Sequence, residues 1–176
     1  MPFEILPATT KDAQALDVLI NSAYRGDSSR RGWTTEADLM DGGRTDASAL
    51  RDILHRPDST LLKYVDNGKI NGCVELRQED DRLYLGMLSV KPDLQNRGIG
   101  KKLLAAAEAE ASKRQCHVIF MTVISLRKEL IEWYIRHGYQ PTGERKPFIF
   151  EDSRFGEPRQ QLEFVVLEKR IDAISR

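Results

Sequence analysis

The stretch of sequence that decides the fold is Leu88-Ser89-Val90-Lys91-Pro92-Asp93-Leu94-Gln95-Asn96-Arg97-Gly98-Ile99-Gly100-Lys101-Lys102. It begins inside an apolar run, residues 83–90, which predicts a strand that is buried on both faces and ends at Pro92. Apolar residues then recur at helical spacing from Gly98 to about Arg114, and residues 116–123 predict a second buried strand. A strand, a helix and a strand in this order form a crossover, which places the two strands parallel in one sheet.

The start of the predicted helix carries the chemistry of this stretch. Gly98 and Gly100 have no Cβ, so a ligand can approach the backbone closely. The first N–H groups of a helix have no internal partner and, together with the helix dipole, form an anion site. Arg97, Lys101 and Lys102 add positive charge. The pattern lacks the third glycine of a dinucleotide site and the Gly-Lys-Ser/Thr of a phosphate-binding loop. The alternative is that the two glycines only begin an ordinary helix and bind no ligand.

The rest of the chain predicts a mixed α/β fold with early antiparallel strands. Residues 3–8 read as a strand, and helices are expected after it and over residues 47–55. Strands 60–66 and 69–78 flank Asn67-Gly68, a dipeptide typical of hairpin turns. Val74 and Leu76 are expected on one face of the returning strand, and Cys73 and Glu75 on the other. A further helix ends at Gly138, and residues 148–150 and 162–167 are the last predicted strands.

Composition narrows the function classes. The 176 residues contain 27 basic and 27 acidic side chains, with 40% hydrophobic residues, which predicts one domain with its own core. Zero net charge argues against nucleic-acid binding and gives no reason to expect a membrane partner. No apolar run is long enough to span a bilayer, and no signal peptide is recognisable. Cys73 and Cys116 are expected to be buried, reduced thiols, as is typical of a cytoplasmic protein. Neither these cysteines nor His55, His117 and His137 have metal-ligand spacing, so no metal is predicted.

Three motifs resemble those of the GNAT superfamily of N-acetyltransferases. Gln95-Asn96-Arg97-Gly98-Ile99-Gly100 resembles its Gln/Arg-x-x-Gly-x-Gly/Ala signature, Leu88-x-Val90-x-Pro92 lies upstream at the usual spacing, and the segment 130–139 is similar to its aromatic-rich C-terminal motif. The likeness extends from residue 3 to about 167 and is weakest in the first third. It implies one domain over residues 1–176, with a mostly antiparallel sheet, a splayed parallel strand pair and helices on both faces.

The resemblance also implies a cosubstrate, acetyl-CoA, and a reaction. An acetyl group would pass to a primary amine of a small molecule or peptide by direct attack in a ternary complex. Backbone amides at the helix start would hold the CoA pyrophosphate, and the strand before it would pair with pantetheine. The Leu88 N–H would meet the acetyl carbonyl, where a preorganised donor lowers the barrier. The implied cofactor-binding residues are Leu88, Ser89, Val90, Gln95, Asn96, Arg97, Gly98, Ile99, Gly100, Lys101 and Arg127.

Two catalytic residues are candidates. Tyr134 matches the family tyrosine that protonates the departing thiolate, although it could equally be a core aromatic of an amphipathic helix. The family's usual glutamate position falls on about Tyr84, which is not a carboxylate. Glu75 on the neighbouring strand is the candidate general base, and a solvated strand residue is the alternative. Arg127 stands where the family often has asparagine, so it could reach a CoA phosphate or the substrate, or lie at the surface.

The acceptor side is the least determined by the sequence. A polar, glycine-rich segment, residues 25–44, is expected to form one wall of the site that binds the acceptor substrate. Its Arg30, Arg31 and Trp33 would suit an acceptor that carries a carboxylate or phosphate. The alternative is a solvated charged loop. Two rival functions stay open: a non-catalytic acyl-CoA sensor with the same fold, and a phosphate-binding protein that uses Gly98 and Gly100 alone. The oligomeric state is also open, a homodimer included.

Overall fold

The structure, a computed structural model, describes residues 3–24, 40–41, 45–147, 157–158 and 162–171. Within these ranges the helices are α1 (Ala13–Tyr24), α2 (Ala47–Leu54), α3 (Ile99–Lys113) and α4 (Lys128–Arg136). The strands are β1 (Phe3–Pro7), β2 (Met40–Asp41), β3 (Ser59–Asp66), β4 (Lys69–Glu79), β5 (Arg82–Val90), β6 (Val118–Ile124), β7 (Gln140–Pro147), β8 (Glu157–Pro158) and β9 (Glu163–Arg170). No helix in these ranges has the length and apolar character that crossing a membrane requires.

The described strands form a mixed sheet in the order β1-β3-β4-β5-β6-β9-β7, with β2 and β8 paired separately. Every neighbouring pair in the large sheet is antiparallel except β5 and β6, which run parallel. The chain passes from β5 through α3 to β6, so the predicted crossover and its parallel strands are confirmed. The mostly antiparallel character of the sheet is confirmed as well.

Helices cover both faces of the sheet, as predicted. One core lies under α1 and α2, where Leu16 and Leu50 pack with Cys73 of β4. The other lies under α3 and α4, where Leu103 and Tyr134 pack in the same cluster as Val74 and Leu76. Neighbouring residues of β4 therefore enter opposite cores, because successive side chains of a strand point to opposite faces. The faces predicted for this strand are confirmed.

The end of the chain departs from the sequence reading. The strand predicted at residues 148–150 lies outside the described residues. A strand that was not predicted, β7, is the next element after α4 and is exposed along its whole length. It lies at the edge of the sheet, next to β9. An edge strand needs no apolar alternation and tolerates proline, so the sequence Gln-Pro-Thr-Gly-Glu-Arg-Lys-Pro carries no strand signal.

Candidate active site

A β-bulge in β5 lies at the centre of the site. Cys73 pairs with Ser89 and Glu75 pairs with Gly86, so Met87 and Leu88 together lie opposite the single residue between Cys73 and Glu75. An inserted residue of this kind bends the strand and reverses the faces that follow it. Met87 has a φ of 49°, in the left-handed region that non-glycine residues rarely adopt. The strain marks a backbone conformation that the surrounding packing imposes.

The bulge changes the face of the sheet on which the side chains of β5 lie. Before it, Leu83 and Leu85 belong to the core under α3. Strict alternation would place Met87 there too, but Met87 packs in the core under α1 and α2. Leu88 and Val90 take the α3 side instead. The last residues of β5 therefore present their backbone and these two side chains to the region where α3 begins.

β5 and β6 separate after only three paired residues. Their parallel pairing joins Arg82–Tyr84 to Val118–Phe120. Farther along, residues 85–88 of β5 and 121–124 of β6 line a cavity of about 110 Å³ between them, which we call the central cavity. Strands that still shared hydrogen bonds could not enclose such a space. This is the splayed parallel pair implied by the sequence resemblance.

A larger cavity, of about 240 Å³, opens beside the start of α3 and is called the helix-end cavity. One wall is formed by Leu130, Trp133 and Tyr134 of α4 and by His137, which caps that helix. Its other wall contains most of the predicted cofactor-binding residues, namely Leu88, Val90, Gln95, Asn96, Gly98, Ile99, Gly100 and Lys101. The structure thus brings the strand end, the turn and the helix start to one surface.

The turn between β5 and α3 is held by its own residues. The Gln95 side-chain amide donates to the Val90 carbonyl at 3.1 Å. Gly98 caps α3 with a φ of 84°, and a Cβ there would meet no atom within 4 Å, so the space beside it is open. At Gly100 a Cβ would lie 3.1 Å from Cζ2 of Trp133. One glycine gives the backbone its left-handed conformation, and the other lets the Trp133 ring pack against the helix.

Three predicted cofactor-binding residues lie off the wall of the helix-end cavity. Arg97 is exposed on the turn. Ser89 is fully buried, and its hydroxyl donates to the Met87 carbonyl at 2.9 Å. Arg127 is 8% exposed and lines the central cavity, with its guanidinium 5.7 Å from the ring centroid of Tyr24.

Tyr134 lies between the helix-end and central cavities and lines both. Burial raises the pKa of its phenol well above the usual value, and the neighbouring Tyr24 and Tyr139 add to this, whereas the positive charge of Arg127 opposes it. The phenol therefore keeps its proton near neutral pH. It can donate a hydrogen bond to an anion that forms in either cavity.

Glu75 lies in a third cavity, of about 440 Å³, on the α2 side of the sheet, which we call the α2-side cavity. Its carboxylate is 5% exposed and lies 3.8 Å from the Arg77 guanidinium. Arg77 stacks over the Tyr84 ring at 4.5 Å and pairs with Glu79 at 2.9 Å. A permanently charged guanidinium compensates part of the cost of burying a carboxylate. The remaining wall includes Thr45, Ser48, Asp52 and Arg56.

The sequence was then compared with known proteins. The model of the acetyltransferase (GNAT) family matches residues 28–139, which is more than half of the chain. The chain belongs to the GNAT acetyltransferase family. No curated protein matches the sequence of this acetyltransferase. The family resemblance read from residues 88–102 and 130–139 is thereby confirmed.

Solved structures of other acetyltransferases share the fold at low identity. The ribosomal-protein-S18-alanine N-acetyltransferase from Escherichia coli is 14% identical with a TM-score of 0.73, covering 99% of this chain and 97% of that one. A ribosomal-protein-alanine N-acetyltransferase from Brucella melitensis is 20% identical with a TM-score of 0.71, covering 95% and 99%. The PaiA N-acetyltransferase from Thermoplasma acidophilum, solved with coenzyme A, is 18% identical with a TM-score of 0.69, covering 97% and 99%.

Sequence reasoning missed one buried contact of this acetyltransferase. The Tyr24 hydroxyl, at the end of α1, donates a short hydrogen bond to the Leu88 carbonyl in the bulge. Spacing four residues after Ile20 marks Tyr24 only as a core position of an amphipathic helix, so no sequence signal identifies this contact. The predicted acceptor residues Arg30, Arg31 and Trp33 lie outside the described residues.

Proposed function

We propose that this GNAT acetyltransferase transfers an acetyl group from acetyl-CoA to a primary amine of a small molecule or peptide, by direct attack in a ternary complex. The residues that neighbouring cavities share support this. Leu88, Leu130 and Tyr134 line both the helix-end and central cavities. Tyr84 and Met87 line both the central and α2-side cavities. A cofactor on one face of the sheet and an acceptor on the other could therefore meet at the bulge.

The helix-end cavity fits the cofactor on its own geometry. The backbone at Gly98 is left-handed and the space where its Cβ would lie is open, which would let a pyrophosphate approach the first amides of α3. Lys101 adds a positive charge to the same wall. The Leu88 and Val90 backbone, beyond the pairing with β6, offers a strand edge to pantetheine. When bound, acetyl-CoA would supply an acetyl thioester whose leaving group is a thiolate.

Tyr134 is the proposed general acid. Its position between two cavities places the phenol beside the point where the cofactor and the acceptor would meet. The raised pKa keeps the proton on the phenol in the resting enzyme. The nearby Arg127 charge acts in the opposite direction and makes the proton easier to release as negative charge develops.

Glu75 is the proposed general base. It is the buried carboxylate on the wall of the α2-side cavity, beside Tyr84 and Met87, which also line the central cavity. A carboxylate there can take a proton from an incoming ammonium group through a bridging water. The cavity wall carries charges of both signs, with Asp52 and Glu75 opposing Arg56 and Arg77. A wall with charges of both signs would bind a charged amine, and it would not require the acceptor molecule to be highly basic.

The cysteines support direct attack over an acyl-enzyme route. Burial raises the pKa of the Cys73 thiol to about 12 and also raises that of Cys116. A thiol is a nucleophile only as its thiolate, so both are poor acyl carriers near neutral pH. Among the described residues, neither cysteine lines one of the three cavities.

We further propose that residues 1–176 form a single domain that works in the cytoplasm, as a monomer or homodimer.

The test is thiol release from acetyl-CoA in the presence of a library of primary amines. Saturable, amine-dependent release, with one acetylated amine formed per thiol, is the expected result. Binding of CoA without release for any amine would instead support an acyl-CoA sensor. Absence of CoA binding would contradict the cofactor assignment and leave only a phosphate-binding role for the α3 start.

A further inference from the structure

The peptide group that joins Met87 to Leu88 is held from its carbonyl side by two side chains. The Met87 carbonyl accepts a hydrogen bond from the Ser89 hydroxyl at 2.9 Å, and the Cys73 thiol lies 3.8 Å from the same oxygen. Ser89 and Cys73 are both fully buried. Hydroxyl and thiol donors thus act on a carbonyl that the bulge has removed from the regular β ladder.

The direction of this carbonyl fixes the direction of the next amide. Cys73 belongs to the core under α1 and α2, so the Met87 carbonyl points to that side. In a planar trans peptide the N–H points opposite to the C=O. The Leu88 N–H is therefore directed away from α1 and α2. On that side, Leu88 lines both the helix-end and central cavities, where the acetyl group would lie.

We propose that Ser89 is a positioning residue for acetyl transfer: its hydroxyl holds and polarises the Met87–Leu88 peptide so that the Leu88 N–H donates to the acetyl carbonyl. Cys73 is the weaker second donor. This inference rests on the proposed function. A hydrogen bond to the carbonyl of a peptide strengthens the N–H of that peptide as a donor. A donor held in place before the reaction needs no reorganisation as the oxyanion develops.

A second carbonyl of the bulge is fixed in the same manner. The Leu88 carbonyl accepts from the Tyr24 hydroxyl. Side chains of the protein thus occupy two successive carbonyls, those of Met87 and Leu88. The strained φ of Met87 is then maintained by hydrogen bonds on both sides of Leu88. Among these side chains, Ser89 is the one whose replacement removes a hydrogen-bond donor without leaving a large cavity in the core.

The test is isotope-edited infrared spectroscopy of [1-13C]acetyl-CoA bound to the full chain without an acceptor. In the wild type, the acetyl carbonyl stretch should fall below its frequency in water. Ser89→Ala should return it towards the value in water, and Ser89→Cys, with a weaker donor of similar size, should give an intermediate value. The matched control is Ser22→Ala, since the Ser22 hydroxyl donates to the Leu19 carbonyl on α1 at 2.8 Å, away from the cavities. It should leave the stretch unchanged.

Affinities give a second readout. The preference for acetyl-CoA over CoA should fall about threefold in Ser89→Ala, which matches the loss of one ordinary hydrogen bond, while CoA affinity stays the same. A wild-type shift that Ser89→Ala and Ser89→Cys leave unaltered overturns the inference alone. If the wild type fails to bind acetyl-CoA, both the inference and the proposed function are overturned. If circular dichroism shows that Ser89→Ala is unfolded, Ser89→Cys and Cys73→Ala decide: no change in the stretch for either overturns the inference.

Discussion

The helix-end cavity and the α2-side cavity lie on opposite faces of the same sheet and are built in different ways. The first is lined by two segments, residues 88–101 and 130–137, and the groups proposed to bind the cofactor there are backbone amides and glycines. The second collects charged and polar side chains from α2, β4 and β5, with Glu75 and Arg77 on its wall. A ligand held by backbone conformation leaves a motif in the sequence. A ligand held by side chains from separate elements leaves none.

Gly98→Val tests the cavity whose proposed ligand contacts are backbone groups, and it should have the largest effect. A β-branched residue at a φ of 84° is strained, and its side chain would fill the open space beside the α3 amides. We expect CoA binding, measured by isothermal titration calorimetry, to be lost while circular dichroism shows an intact fold.

Gly143→Val is the matched control for that change. Gly143 has a φ of 89° and equally open surroundings, but it lies on the exposed β7. Both variants should lose about 1–3 kcal/mol of unfolding free energy from backbone strain, and only Gly98→Val should lose CoA. Equal CoA affinity in the two variants would show that the α3 start does not bind the pyrophosphate.

Tyr134→Phe tests the point where the two cavities meet. Loss of a general acid should lower kcat about 100-fold or more, with CoA affinity unchanged, because the ring still packs in the core. Tyr139→Phe is the control. The Tyr139 hydroxyl is buried with no hydrogen-bond partner among the described residues, so its removal should change kcat far less than Tyr134→Phe and leave stability equal or slightly higher. Equal kcat in both variants would remove Tyr134 from the chemistry.

Glu75→Gln tests the side-chain half of the contrast and should have a smaller effect. We expect kcat/KM for the amine to fall about tenfold to 100-fold, with CoA affinity unchanged, since the proposed base lies on the face of the sheet opposite the proposed cofactor site. Glu79→Gln is the control, because Glu79 also pairs with Arg77 but is more exposed. If both variants lower kcat/KM equally, Glu75 acts only by holding Arg77, and the base lies elsewhere.

The last prediction concerns Cys73, in the core under α1 and α2, and becomes measurable only at alkaline pH. The unfolded thiol loses its proton near pH 9, whereas the folded one keeps it to about pH 12. Between these values the unfolded state binds fewer protons, so stability falls as the pH rises, by up to about 1.4 kcal/mol per pH unit from this group. Urea unfolding of Cys73→Ala from pH 9 upward should show a correspondingly shallower loss. An identical slope in both proteins would contradict the burial argument.

The sequence predicted most of the fold because its signals there are local. The Asn67-Gly68 turn, the apolar run of β5 and the glycines at the start of α3 each specify their own element. The missed strand β7 has no apolar face, since it lies at an edge and is paired on one side by β9. Strand pairing of that kind depends on the partner and cannot be read from the edge strand itself.

The sequence by itself determined the family, the crossover around α3 and the residues of the helix-end cavity, because backbone requirements such as the left-handed φ of Gly98 select particular residue types. Only the tertiary structure decided that Tyr134 would separate two cavities, that Glu75 would face a third, and that Ser89 and Tyr24 would fix the carbonyls of the bulge. The reason is physical: these roles depend on distances between side chains far apart in the sequence, and a single inserted residue at Met87 changes which face each one meets.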